Sequence, residues 1–297
     1  MLLSGEQIVP KVEHGDSALG RWTAAHWQPS PTHALWATVD RLWYFDGTLT
    51  LARERVFPDG AIEIVVQLDE PHRDGDLIVP CPFPSVCVNG LRTASGVVVA
   101  PAGRCRVAGI RIRAARARDV LGIPAAELGS GTLDLEVVLG PVARDLGGRC
   151  YDAVEAGTGE SGRAQAAVRA SARWILERVA APFEQSAVTY VAEAILRERG
   201  AVSIDSLRAQ TGLTRPRLAH RFRQELGVTP KRFARIVRFH QALRSLGNKA
   251  TPSATAIDLG YFDQAHLYRD FEEFAGMTPG EFLAAMRYEG SASVAEA

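Results

Sequence analysis

The feature that most constrains this chain is an internal repeat. "GVTPKRF" (Gly227–Phe233) returns 49 residues later as "GMTPGEF" (Gly276–Phe282). The same offset lays Thr214 over Asp263, Leu218 over Leu267 and Phe222 over Phe271. A cap-type residue followed by apolar residues at helical spacing predicts a helix that starts at a defined point and buries one face. A glycine turn precedes each of these helices ("QTGLT" and "DLGYFD"), and a Thr-Pro helix start follows. Each copy therefore reads as helix, tight turn, second helix: a helix-turn-helix, present twice. Between the copies, Phe233, Ile236, Val237, His240, Leu243 and Leu246 keep helical spacing, which predicts one long helix joining them. If that helix is rigid, the two second helices can enter successive major-groove segments about 34 Å apart.

The formal net charge of zero hides a segregation of charge. From Thr214 to Lys249 the bases are Arg215, Arg217, Arg221, Arg223, Lys231, Arg232, Arg235, Arg238, Arg244 and Lys249, against the single acid Glu225. Such a run suits phosphate neutralisation and predicts salt-dependent binding to double-stranded DNA; a solvated helix surface is the plainer alternative. From Ala256 to Glu289 acids prevail. Asp263 fits a helix N-cap, and Asp270, Glu272 and Glu273 are expected around the edge of the groove. With Leu267, Phe271 and Phe274 facing the core, Ala265, His266 and Arg269 point outward and Gln264 lies on the flank. Gln264 suits adenine and Arg269 guanine in bidentate geometry. The alternatives are that Arg269 pairs with Glu272 or Glu273, and that His266 packs against Tyr261.

The amino-terminal half reads differently. "AIEIVVQL" (Ala61–Leu68), "GVVVA" (Gly96–Ala100) and "RVAGIRIR" (Arg106–Arg113) are β-branched runs bounded by "PDG" and "PAG" turns, which predict a barrel or sandwich. "AARARDVLG" and "GIPAAELG" suggest short helices. "EAGTGESG" (Glu155–Gly162) reads as a flexible loop, followed by a helix from Arg163 to Ala180 that Pro182 breaks. The expected class is α+β: a β-rich domain over 1–150, a loop and helical linker over 151–182, an all-α tandem helix-turn-helix domain over 183–290, and a tail over 291–297.

Hydrophobic residues at 46% and charged residues at 23% suit a folded chain. The first residues show no basic and apolar leader, and no stretch approaches about 18 uninterrupted apolar residues, so a cytoplasmic protein without a membrane partner is expected. Cys81, Cys87, Cys105 and Cys150 are too scattered for a disulfide scaffold. The first three invite a thiol-sensor or metal reading, but their spacing matches no metal pattern, and buried structural cysteine is the plainer one. Trp22, Trp27, Trp36 and Trp43 cluster with Tyr44 and Phe45 as core or pocket wall. His14, His26, His33 and His72 show no metalloenzyme motif, and no nucleophile elbow, P-loop or dinucleotide fingerprint occurs, so neither an enzyme nor a cofactor or metal site is expected.

"LTRPRLAHRFRQELGVTPKRFARIVRFHQAL" and "GYFDQAHLYRDFEEFAGMTPGEF" resemble the first and second helix-turn-helix of AraC-family transcriptional regulators, over about a third of the chain from Phe183 to Tyr288. "VFPDGAIEIVV", "VNGLRT" and "GIPAAEL" resemble more loosely a β-rich domain that precedes this module in one subgroup. The resemblance implies promoter binding, with the amino-terminal domain sensing a small-molecule effector or mediating self-association as a homodimer. It implies contact with RNA polymerase if the protein is an activator. It places Gln264, Ala265, His266, Tyr268 and Arg269 against bases in the second copy, and Pro216, Arg217, Ala219 and His220 in the first. Pro216 and Ala219 cannot donate to a base edge, so the first copy is expected to act more through phosphate contacts from Arg215, Arg217, His220, Arg221, Arg223 and Lys231. Two alternatives stand beside a ligand-controlled regulator: a constitutive DNA binder whose first domain only oligomerises, and a thiol-based alkylation or redox sensor.

Overall fold

Period-2 alternation of β-branched residues divides each long strand between two buried faces, and the observed architecture follows from that division. A computed structural model of the chain describes residues 8–17, 20–48, 53–179, 185–248 and 250–289. Its strands are β1 (Lys11–Ser17), β2 (Gly20–Trp27), β3 (Val39–Thr48), β4 (Arg53–Val56), β5 (Ala61–Gln67), β6 (Arg73–Asp74), β7 (Cys81–Pro82), β8 (Val86–Asn89), β9 (Gly96–Val99), β10 (Arg104–Arg113) and β11 (Thr132–Asp134). A short 3-10 turn leads into α1 (Ala117–Leu121), followed by α2 (Ala125–Leu128), α3 (Leu135–Leu139), α4 (Pro141–Ala156) and α5 (Gly159–Arg178). The remaining helices are α6 (Ala187–Arg197), α7 (Ile204–Thr211), α8 (Arg215–Leu226), α9 (Pro230–Gly247), α10 (Pro252–Asp258), α11 (Gln264–Ala275) and α12 (Pro279–Glu289).

Two antiparallel sheets result, in the orders β1-β2-β3-β10-β5-β8-β11 and β4-β9-β6-β7. On one face of the larger sheet, Leu42, Tyr44, Ile62, Ile64, Val66, Val88, Ala108, Ile110 and Ile112 pack with Leu146, Cys150, Val154, Ala167, Val168 and Trp174 of α4 and α5. The opposite face carries Trp43, Val65, Cys87, Cys105 and Val107, packed with Phe83. The sandwich expectation is met on that second face, and the three quoted runs are β5, β9 and β10.

The expected loop over Glu155–Gly162 is a correction. α4 continues to Ala156 and α5 begins at Gly159, so only Gly157 and Thr158 separate them. A Cβ on Gly157 would lie 2.7 Å from Cα of Arg163; glycine here permits a close corner between helices, not slack. Apolar stripes on both helices cover the sheet, so the described part of the expected 151–182 linker belongs to the amino-terminal core. Pro182, Lys249 and the 291–297 tail lie outside the described residues.

The carboxy-terminal region is all helix among the described residues. The first half of α9 packs Phe233 on Phe222 of α8 (5.8 Å between centroids), while its second half packs Phe239 on Phe271 (5.1 Å) and Phe274 (5.3 Å) of α11. One helix thus serves two cores, the large one continuous with the sheet and the smaller one around α11. Gly227 (φ 79°) and Gly276 (φ 67°) end α8 and α11 in the left-handed conformation, which explains the first residue of the repeated heptapeptide. Asp263 caps α11 by accepting from the His266 amide at 2.7 Å. Thr214 holds the equivalent position at α8, but its side chain makes no capping bond.

Candidate nucleic-acid interface and ligand cavity

Burial of one face of α8 and α11 decides what the other face presents. Leu218, Phe222 and Leu226 are buried on α8, leaving Arg215, Pro216, Arg217, His220, Arg221 and Arg223 exposed, with Ala219 intermediate and Lys231 exposed at the start of α9. Arg215 is engaged by Asp205 of α7. Arg217, Arg221, Arg223 and Lys231 have no carboxylate partner among the described residues.

On α11, Gln264, Ala265 and Arg269 are exposed, with Tyr268 intermediate beside them. Gln264 Nε2 lies 3.4 Å from the Tyr268 hydroxyl. Arg269 is 67% exposed and its nearest carboxylate oxygen, on Asp263, is 4.0 Å away; its guanidinium is held by neither Glu272 nor Glu273. His266 lies edge-on to Tyr261 at 5.2 Å and stays part-exposed beside Ala265. Burial, with Arg238 nearby, lowers the His266 pKa, favouring the neutral imidazole.

The acids of the second copy are differently placed than expected. Asp270 is fully buried and accepts from Arg235 Nε at 3.0 Å and Nη2 at 2.7 Å, while Glu273 also engages Arg235 and lies 3.5 Å from Arg232. Arg238 stacks on Tyr261 at 4.4 Å. Three bases of the run on α9 are therefore consumed in holding α11, because a carboxylate can enter that core only with a fixed cation beside it. The basic surface that remains is narrower than the sequence suggested and is centred on α8.

The amino-terminal domain grips both helix-turn-helix units at their ends. α2 packs against α8, and Glu225 of α8 lies 3.7 Å from Arg118 of α1. At α11, the Ser95 amide donates to Phe274 O (2.8 Å), while Ser95 Oγ (3.0 Å) and Arg55 Nη1 (3.4 Å) donate to Ala275 O. These bonds satisfy carbonyls that a helix end leaves without partners. Phe57, just before the β4–β5 turn, inserts its ring edgewise against Phe239 (6.4 Å) and Phe282 (5.9 Å). Sequence reading missed this contact; its one signal was an aromatic residue set directly beside the "PDG" turn.

A cavity of about 430 Å³ lies between the two sheets and reaches α9 at His240 and Leu243. Trp43, Phe45, Val65 and Val107 line it from the larger sheet and Glu54, Val56 and Val98 from the smaller one, with Phe57 and Phe83 from loops. Of the four early tryptophans only Trp43 is on this wall; Trp36 is 43% exposed under Arg113, and Trp27 packs on His33. Trp43 can lie across β10 because its neighbour is Gly109, where a Cβ would come within 2.1 Å of the indole. From there Trp43 Nε1 donates to Glu63 Oε1 at 2.7 Å.

The floor is polar. Arg111 is held by Asp40 (3.0 Å) and by Asp59, and His240 faces this group. Burial, reinforced by the arginine charges, pushes the His240 pKa down to about 4. Burial raises the Glu63 carboxyl despite Arg111, and raises Glu54, whose shift has no other cause. Burial opposes charge on Asp59 too, yet Arg111, His240 and the Ala61 amide together hold its carboxyl below the usual range. Cys87 and Cys105 are buried thiols, each pushed up by burial to about 12, and Cys105 Sγ lies 3.7 Å from His72 Nε2. Such thiols are poor nucleophiles. Among the described residues no group of three or more His, Cys, Asp or Glu is placed to hold a metal, and no helix is long and apolar enough to cross a membrane.

Comparison with known proteins agrees with this division. Residues 207–285 match a family model described as a helix-turn-helix domain, and residues 28–134 match a domain of unknown function (DUF6597). Residues 207–285 are thus an AraC-type helix-turn-helix domain, a DNA-binding module, and residues 28–134 fall in a domain family whose function is undefined. No curated protein matches the chain. Similar solved structures include ToxT from Vibrio cholerae bound to (E)-4-(8-methylnaphthalen-1-yl)but-3-enoic acid, at 10% identity and TM-score 0.43, covering 78% of this chain and 97% of that one. Another is the AraC-like transcriptional activator CuxR, at 12% identity and TM-score 0.30, covering 96% and 88%. Likenesses this distant leave the ligand of this chain to its own residues.

Proposed function

We propose that this protein is a sequence-specific transcriptional regulator that reads two adjacent major-groove segments with α8 and α11, under control of a small molecule held between its sheets. The observation that carries the reading is the outer face of α11. There Gln264, Ala265 and Arg269 stand exposed on a helix whose inner face is fixed by Phe271, Phe274 and the Asp270–Arg235 pair. Gln264 and Arg269 are the base-reading side chains, with Ala265 offering a methyl-sized contact and Tyr268 packing beside them. His266 orients the helix start through Tyr261. On α8, Arg217, His220, Arg221 and Arg223, with Lys231 beside them, hold phosphates, and Arg215 joins them when it leaves Asp205.

Control through the cavity is supported by its walls. Arg55 and Phe57 line the cavity, Arg55 also bonds the end of α11 while Phe57 packs on Phe239 and Phe282 in the core behind it, and His240 lines the cavity from the helix shared by both DNA-binding units. A ligand that favours one arrangement of these side chains shifts the population of DNA-competent molecules. Footprinting on duplexes selected by the purified protein tests the tandem reading: protection should cover two neighbouring major-groove segments on one side of the helix. Protection limited to one segment refutes it.

A further inference from the structure

The class of ligand can be argued from which charged groups in the cavity are already engaged; this rests on the reading of the cavity as an effector site. Four arginines line it, and three of them have protein partners. Arg111 lies between Asp40 and Asp59, and Arg55 reaches Ser95 and Ala275 O. Arg92 has no hydrogen bond or ion pair among the described residues, though its guanidinium and the Asp76 carboxylate each come 2.8 Å from the point where a Cβ on Gly96 would stand. Arg41 is engaged as well. The acids differ. Glu63 accepts from Trp43 Nε1, whereas Glu54 lines the cavity from β4 with no hydrogen bond or ion pair among the described residues. Opposite Glu54 on β9 is Val98, and the rings of Trp43, Phe45, Phe57 and Phe83 complete the wall.

An unpartnered carboxyl in an aromatic, partly desolvated cavity favours a ligand that brings a positive charge and N–H donors, since ring faces attract the same charge. A carboxylate ligand would meet Glu54, and Arg92, the arginine that could offset it, already has the Asp76 carboxylate near it. We propose that the cavity binds a small organic cation of the arylalkylamine class, with its ammonium against Glu54 and its ring among Trp43, Phe45 and Phe83. The volume of about 430 Å³ suits a molecule of one or two rings.

The test uses the full chain and three matched probes: 4-phenylbutylamine, 4-phenylbutanol and 4-phenylbutyrate, by titration calorimetry and thermal shift. The amine should bind best, exceeding the alcohol by about tenfold or more, as expected for a desolvated charge-assisted contact. Glu54→Gln should remove that preference while melting no lower than the parent without ligand, because it deletes a half-buried acid that has no partner. Preference for 4-phenylbutyrate, or an amine preference that survives Glu54→Gln, overturns the proposal. Val98→Trp, which fills the cavity, separates the two levels of the argument. If the alcohol or acid binds best and Val98→Trp abolishes binding, the effector site stands and the cation falls; if none of the three probes binds the parent, both fall.

Discussion

Replacing Phe57 by alanine should loosen the second helix-turn-helix while leaving the large sheet intact. Phe57 is only partly buried, but its ring makes two edge-to-face contacts, with Phe239 and Phe282, inside the core that holds α11. Truncating a fully buried phenylalanine costs about 3–5 kcal/mol, and each aromatic pair accounts for about 0.5–1.5 of that. At partial burial the two pairs and the lost area give about 2–3 kcal/mol. Opening of this core should then rise by about 30- to 150-fold. Native-state hydrogen exchange reads it directly: amides of α11 and the second half of α9 should exchange faster by that factor, while those of β5 and β10 change little. Unchanged α11 amides would refute the reasoning, because the amino-terminal domain would then touch α11 without supporting it. Equal acceleration in β5 and β10 would refute it in the other direction, by showing one cooperative unit.

Other expectations follow from the same contacts. Asp270→Ala leaves Arg235 without its buried partner and should destabilise the protein by about 3 kcal/mol in denaturant unfolding, with loss of DNA binding at temperatures where α11 frays. Gly109→Ala forces the Trp43 indole off β10 and away from Glu63, and should shift tryptophan emission to the red with a loss of about 1–3 kcal/mol. His240 has a folded pKa near 4, below its ordinary 6.5, so the unfolded chain binds the extra proton first. Its contribution is full above pH about 6.5 and is lost as pH falls towards about 4, by about 2 kcal/mol after allowance for its partial exposure. His240→Gln should flatten the stability profile across that window, and a profile as steep as the parent's would contradict the assignment.

The carboxy-terminal module was legible because its information is local and repeated. Caps, left-handed glycines and apolar spacing lie within a few residues of one another, and each copy checks the other. Charge was less legible, since a run of bases looks the same whether it meets phosphate or protein. Only the fold shows Asp270 and Glu273 drawing Arg235 back into the core. The Glu155–Gly162 corner misled because glycine and serine mark a slack loop and a close helix crossing alike. Sheet order, the cavity between β4 and the larger sheet, and the bonds from Ser95 and Arg55 to the end of α11 depend on contacts between residues far apart in the chain, which no periodicity records.

The most direct test of the central claim is the affinity of the purified protein for its selected duplex at about 50 and 200 mM salt, beside Arg269→Ala and Arg217→Ala. If Arg217, Arg221, Arg223 and Lys231 each neutralise one phosphate, the logarithmic slope is about −3.6 and affinity falls by about 150-fold across that range. The account predicts that Arg217→Ala lowers the slope by about 0.9 with specificity intact, and that Arg269→Ala relaxes preference at one base position at a cost of about 1–3 kcal/mol. A slope near zero, with Arg269→Ala selecting the same sequences as the parent, would contradict it.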